Sequence, residues 1–341
     1  MTVIRADMRA AVLREFGTAP VATRIPRPRA AAGEALIRVR AAGLCGTDLK
    51  VTSGVMSPGL ALPAVIGHEI AGEVVTTPDA CLPVGTRVAC HPYLVCGECQ
   101  ACAIGHSNAC PHARLVGLSR QGGLAEYLAV PITNLIPFAA DIDFAVAAVT
   151  MDAVATSWHA LHRRGQIEAD DRVVVVGAGG LGHNAVQIAI GAGATVAVID
   201  RNRLRRNDVV ASGAACAVPF DDLTALRDWA PAGADLVLEA TGSRAGFDAA
   251  VSVLGVAGRL VCCGHQPGLE FGLESTGMVG RELTVLGSRG STLSDAVAAL
   301  AAVQRGDVRP RIDSLHDLDR VGEAFGRLAS GQAMGRVVVT I

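Results

Sequence analysis

The stretch RVVVVGAGGLGHNAVQIAIGAGATVAVID, residues 172–200, decides the fold. Val173 to Val176 form a short apolar run of strand type, and the turn Gly177-Ala178-Gly179-Gly180-Leu181-Gly182 follows it directly. Ala185, Val186, Ile188 and Ala189 recur at helical spacing, so residues 180–190 read as a helix, and Thr195–Ile199 reads as the next strand. Strand, glycine turn, helix and strand make one βαβ unit. In it Gly177 permits a tight turn, Gly179 lets backbone approach a pyrophosphate, and Gly182 allows close packing at the helix N-terminus. Asp200 ends the second strand about 20 residues on, where a carboxylate can bond both ribose hydroxyls. This pattern predicts NAD. A 2′-phosphate meets like-charge repulsion from Asp200, which Arg201, Arg203, Arg205 and Arg206 offset in part, so NADP is the less favoured cofactor. The bland alternative, in which the glycines close a turn and Asp200 caps it, leaves the surrounding strand–helix context unexplained.

The alternation continues outward. A helix over 203–211, a strand over 235–240, a helix over 244–254, a strand over 259–263 and a last strand over 283–286 predict a parallel, doubly wound sheet. Residues 1 to 150 differ, being rich in glycine and proline with short β-like runs at 35–39, 70–76 and 87–89. The tail carries helical runs at 294–304 and 318–329 and a β-like run at 336–341, whose domain periodicity does not decide. The expected class is α/β, and 341 residues suit two domains rather than one core.

Composition narrows the function. A net charge of -2 gives no general attraction to nucleic acid or to anionic membranes. Met1 to Met8 carry Arg5 and Asp7 and lack the apolar centre of a secretory signal, so a cytoplasmic chain is expected. Val173–Val176 and Ala194–Ile199 fall far below the roughly 20 residues that span a bilayer, and no membrane segment is expected.

Four of the ten cysteines cluster. Cys96, Cys99 and Cys102 are spaced by two residues each, and Cys110 follows a loop holding Gly105 and Asn108, which suits a tetrahedral structural zinc. Zinc-mediated DNA binding lacks a basic patch, since Glu98 and only Arg114 lie near. Cys81, Cys90, Cys216, Cys262 and Cys263 read as small buried hydrophobes.

Two further ligand-like groups stand upstream: Cys45 within Gly43-Leu44-Cys45-Gly46-Thr47-Asp48, and His68-Glu69 after Gly67. Each alone reads as a core residue. With the cysteine cluster and the glycine loop, in this order, the chain resembles the zinc-containing medium-chain dehydrogenase/reductase family, which includes alcohol, polyol and threonine dehydrogenases. The resemblance spans nearly the whole chain. It implies a GroES-like, mostly β catalytic domain (1–152 with 289–341) and an inserted Rossmann domain (153–288), with a catalytic zinc in the cleft between them and a structural zinc at the four cysteines.

By the same resemblance Cys45 and His68 are ligands of the catalytic zinc and Glu69 is a carboxylate that approaches the metal. For the third ligand, relatives carry cysteine or a Glu-Pro pair where this chain reads Met151-Asp152-Ala153-Val154-Ala155. Asp152 is the candidate, with a helix N-cap for 153–161 as its alternative. Thr47 matches the proton-relay hydroxyl and Asp48 the carboxylate that orients His68, against the alternative of a simple turn. Lys50 stands where many relatives have histidine, and it reads as solvent-facing or in contact with cofactor rather than as a base. Thr241, Gly242 and Gly264 are further expected cofactor contacts. Tyr93, Trp158 and Met278 are pocket candidates by proximity in sequence, with core packing preferred for each.

The activity implied is hydride transfer between NAD and a secondary alcohol, polyol or amino alcohol, in a homodimer or homotetramer. Carbonyl reduction and a catalytically silent NAD- and zinc-binding sensor are the alternatives.

Overall fold

The computed structural model describes residues 6–56 and 59–341, so most of the N-terminal segment read above, Met1–Arg5, lies outside the described residues. The chain divides into two compact units. One comprises Met1–Asp152, Thr292–Gln304 and Pro310–Ile341; the other comprises Ala153–Ser291 and Arg305–Arg309.

The second unit is built on a six-stranded parallel sheet. Its strands are β1 (Arg172–Val176), β2 (Thr195–Ile199), β3 (Cys216–Val218), β4 (Ala234–Glu239), β5 (Leu254–Cys262) and β6 (Thr284–Gly287). They lie in the order 3-2-1-4-5-6, all parallel, so the winding reverses between β1 and β4. Helices Gly182–Gly191, Arg203–Ala211, Thr224–Trp229 and Arg244–Val253 connect successive strands. An apolar run without alternation is what a strand covered on both faces requires, and Val173 to Val176 are all 0% exposed. Val174, Ile199, Leu226, Phe247 and Leu260 share one core, with Phe247 stacked on Phe271 at 4.4 Å between ring centroids.

The expected strand over 259–263 begins earlier, at Leu254. Residues 254–258 read LGVAG, with little of the branched or aromatic signal of a strand, and Ala257 takes a positive φ of 58°.

The first unit carries a mixed sheet. Strand Glu34–Leu44 is its spine, paired with Glu69–Thr76, Tyr127–Pro131 and Arg336–Thr340. Arg336–Thr340 in turn pairs in parallel with Ile312–Asp317, so the C-terminal tail completes this sheet. A three-stranded sheet places Asp7–Leu13 between Val21–Pro26 and Ala64–Val65.

Two expectations need correction. Phe144–Arg164 is an unbroken helical run of 21 residues, long and apolar enough by length and composition to cross a membrane, which the sequence reading missed. It is mostly buried, at 78% of its apolar window, as the core helix of a folded protein is. Asp152 is also not an N-cap. It lies inside this run, within the π-helical turn Thr150–Val154.

Tight packing makes one glycine of helix Gly182–Gly191 indispensable and another replaceable. A Cβ on Gly182 would collide with the Gly177 carbonyl oxygen, whereas one on Gly191 meets nothing within 4 Å. Gly182→Ala is expected to lower stability by about 2–4 kcal/mol in thermal unfolding. Gly191→Ala is expected to leave it unchanged or raise it by about 0.5–1 kcal/mol. Equal effects of the two would contradict this packing.

Candidate metal centres and dinucleotide loop

The four clustered cysteines converge. Cys96 and Cys110 sulfurs lie 3.5 Å apart, Cys99 and Cys102 3.5 Å, and Cys99 and Cys110 3.7 Å. These separations are far beyond an S–S bond of about 2.05 Å. They approach the tetrahedron edge of about 3.8 Å expected when four sulfurs stand about 2.3 Å from one zinc. A backbone hydrogen bond from Cys96 draws the Cys110 thiol down to about 7, while desolvation and then Cys99 push Cys102 up to about 12. All four ionise together only if a cation offsets their charge, so the donor set fits zinc.

Cys90 is the sole fully buried member of the other five, with burial pushing its thiol to about 12. Cys81 is exposed, so the reading of all five as buried hydrophobes fails there, while Cys216, Cys262 and Cys263 are half-buried and Cys216 and Cys262 pack against the core of the second unit.

The second centre also lies wholly within the first unit. One donor atom from each of Cys45, His68, Glu69 and Asp152 falls within 4.8 Å of the others. Cys45 sits between strand Glu34–Leu44 and helix Gly46–Thr52. Glu69 opens strand Glu69–Thr76 and His68 directly precedes it, after Gly67 at φ 95°. Gly43 faces Glu69 across the sheet, and a Cβ on Gly43 would occupy the space of the Glu69 carboxylate. Asp152 comes from the π-turn.

Asp48 serves two partners. Its Oδ2 accepts from the Cys45 backbone N–H at 2.8 Å, and its Oδ1 lies 3.3 Å from His68 Nδ1. Both readings of Asp48 are therefore present, the local bond and the contact with the histidine. This leaves His68 Nε2 for the centre, 3.7 Å from Asp152 Oδ2. Thr47 Oγ1 is 3.7 Å from Cys45 Sγ.

Arg336, absent from the sequence reading, is the cation of this centre. Its Nη2 stands 3.0 Å from both Glu69 Oε1 and Asp152 Oδ2, and its side chain is 7% exposed. The available signal was an arginine opening the otherwise apolar final strand, RVVVT.

Electrostatics mark the site as cation-seeking. Burial would lower His68, but Asp48, Asp152 and Cys45 raise it well above its ordinary value. Burial pushes Glu69 well up, aided by Asp152 and Cys45 against the opposing Arg336. Burial opposes ionisation of Asp152, yet His68 and Arg336 hold it well below the usual carboxylate range. Both Glu69 oxygens and His68 Nδ1 are buried without a hydrogen bond. A divalent cation among these donors would balance charge that one arginine does not, so the residues fit a zinc.

Lys50 is partly buried rather than solvent-facing, and burial draws its pKa down against Cys45. Tyr93 pairs with His91 at 5.6 Å and Trp158 with His162 at 4.3 Å. Met278 is 41% exposed, which removes it from any core.

In the second unit, Gly177 has φ 94°. Gly179 leaves its face open apart from Arg205 Nη1 at 4.0 Å. Gly180 O accepts from Asn184 Nδ2 at 2.9 Å, and Leu181 O accepts from Ser157 Oγ at 3.0 Å. Asp200 is 3% exposed, its Oδ2 accepting from Ala178 N and its Oδ1 from Asn202 N, each at 2.7 Å. Arg206 Nη1 donates to the carbonyls of Asp200 and Arg201 at 2.8 and 3.1 Å. A Cβ on Gly177 would stand 2.7 Å from Thr241 Cγ2, so the loops after β1 and β4 touch where the strand order reverses. Gly264 packs on Gly242 with no room for a side chain.

Removing Arg336 leaves two buried carboxylates without their cation. Arg336→Leu is expected to lower the stability of the chelated protein by about 3–5 kcal/mol, with added zinc restoring more stability than it adds to wild type. Identical melting of the chelated proteins would contradict this role.

Residues 31–140 match the family described as "Alcohol dehydrogenase GroES-like domain", and residues 180–305 match "Zinc-binding dehydrogenase". L-galactonate-5-dehydrogenase of Escherichia coli (strain K12) is 35% identical over 77% of this chain and 77% of its own. An alcohol dehydrogenase of Geobacillus stearothermophilus is 31% identical over 98% of this chain and 99% of its own. The crystal structure of an NAD-dependent alcohol dehydrogenase superposes with a TM-score of 0.92 at 29% identity, covering 98% of this chain and 100% of the other. Matching two zinc-ready donor sets, a glycine loop at the strand reversal and relatives of full length, the chain belongs to the zinc-containing medium-chain dehydrogenase/reductase family.

Proposed function

We propose that the protein is a zinc-dependent alcohol dehydrogenase that oxidises a secondary alcohol, polyol or amino alcohol with NAD. The convergence of Cys45, His68, Glu69 and Asp152 on one buried point carries this reading. When bound, zinc supplies Lewis acidity toward a substrate hydroxyl and NAD supplies the hydride acceptor.

Cys45, His68 and Asp152 hold the metal in this reading. Glu69, fully buried and ion-paired to Arg336, stands beside it. Asp48, its Oδ1 3.3 Å from His68 Nδ1, orients the His68 ring so that its other nitrogen faces the metal site. Thr47, beside Cys45, would relay the proton that the hydroxyl releases, its Oγ1 accepting that proton as its own hydroxyl hydrogen passes on toward solvent. Cys96, Cys99, Cys102 and Cys110 hold a second, structural zinc.

The glycine loop and Asp200 bind the dinucleotide, with Arg201, Thr241, Gly242 and Gly264 lining the same crevice. Each Asp200 oxygen keeps a second lone pair for a ribose hydroxyl. Arg206 is engaged by backbone carbonyls, which reduces the positive charge on offer to a 2′-phosphate and favours NAD over NADP.

We also propose a cytoplasmic homo-oligomer. Ten cysteines without a disulfide suit a reducing compartment. β6 ends its sheet with Val285 exposed, and Val256 and Val279 are exposed as well, a surface suited to a second copy.

Elemental analysis is expected to find two zincs per chain, falling to one in Asp152→Ala and to one in Cys99→Ser. A panel of secondary alcohols, polyols and amino alcohols should yield NAD-linked oxidation. Thr47→Val should keep both zincs and lose about 10²-fold or more in kcat. One zinc in wild type with no turnover on any alcohol would overturn the catalytic reading and leave a binding protein.

A further inference from the structure

Glu239 closes β4 and is 0% exposed, yet nothing in the proposed chemistry uses it. Its carboxylate gathers the turn that follows. Oε1 accepts from the Thr241 backbone N–H at 2.7 Å, from the Thr241 hydroxyl, and from Gly242 N–H at 3.0 Å, while Oε2 accepts from Gly242 at 3.1 Å. Its backbone carbonyl gathers a second turn, accepting from Cys263 N at 2.8 Å and Gly264 N at 3.0 Å.

The surroundings are shaped for this carboxylate. Gly246 lies in the first turn of helix Arg244–Val253, where a Cβ would stand 2.7 Å from Glu239 Oε1. The carboxylate therefore rests against the N-terminal end of a ten-residue helix, where the helix dipole favours negative charge. Gly242, at φ 64°, adopts the backbone the turn needs, and a Cβ there would run into His265 N.

Two helix N-termini thus face the point where strand order reverses. The one at Gly182 is preceded by the open glycine loop; the one at Arg244 is already served by the protein's own carboxylate and by the Ser243 cap. This asymmetry leaves the Gly182 end to receive an external anion.

We infer that Glu239 is a positioning residue for the dinucleotide: by bonding the Thr241–Gly242 turn with its carboxylate and the Cys263–Gly264 turn with its carbonyl, it sets the crevice wall opposite the glycine loop. The inference rests on the dinucleotide reading of this unit. A ligand pressed against Thr241 and Gly242 meets a wall whose geometry Glu239 holds without touching the ligand.

Glu239→Gln removes the charge and, with its oxygen kept at the Oε1 position, turns its amide nitrogen toward the Gly242 N–H, so two donors oppose each other and the turn shifts. NADH titrated into protein and followed by fluorescence should show Kd raised about tenfold in Glu239→Gln. KM for NAD should rise in parallel, with kcat at saturating NAD and zinc content close to wild type. Glu239→Asp keeps the charge but draws the carboxylate back from the turn amides, and it serves if Glu239→Gln does not fold; its Kd should rise about threefold. Kd within twofold of wild type in whichever variants fold, or a loss confined to kcat, would overturn the inference. Wild-type protein that fails to bind NADH would instead overturn the dinucleotide reading itself.

Discussion

Three acidic donors and one histidine are forced into the same buried space, and that charge has to be balanced before the first unit can hold its shape. Cys45, Glu69 and Asp152 converge, and Arg336 reaches both carboxylates at 3.0 Å. In water such a grouping would disperse; in a low-dielectric interior it persists only with compensation. Each supporting feature follows from that demand. Gly43 makes room for the Glu69 carboxylate, Gly67 turns the chain so that His68 enters, and Asp48 ties the Cys45 backbone to the His68 ring.

The second unit meets an opposite demand with similar means. Its sheet is apolar through its centre and leaves its polar work to the strand ends, where Asp200 and Glu239 each accept backbone N–H groups from the turn beside them. Two acidic residues, at the ends of the two strands that flank β1, give the loops definite shapes while Val173 to Val176 between them stay apolar. The reversal of strand order between β1 and β4 brings these loops into contact.

Much of this was legible in the sequence. The run 172–200 specified its unit because strand, glycine turn and helix each carry a short-range signal, and the cysteine spacing did so for its loop. Arg336 was not legible, since its partners lie 184 residues away at Asp152 and 267 residues away at Glu69, and one arginine on an apolar strand carries no local sign of either. Glu239 escaped for a different reason: a carboxylate ending a strand looks like a solvated terminus until the turn amides are seen to close on it. The early start of β5 was hidden by the glycines of LGVAG, and the length of Phe144–Arg164 by the valines and threonines that interrupt its alanine-rich helical signal.

The π-turn at Thr150–Val154 ties the identity of a side chain to the length of the chain. A π-turn holds one residue more than an α-turn, and each residue of a helix advances the facing direction by about 100°. Deleting a single residue there would restore a regular helix and swing position 152 away from Cys45 and His68, whatever amino acid occupied it. The side chain at position 152 can therefore be changed by substitution with its facing direction kept, whereas an insertion or deletion in the bulge would turn it away from the site.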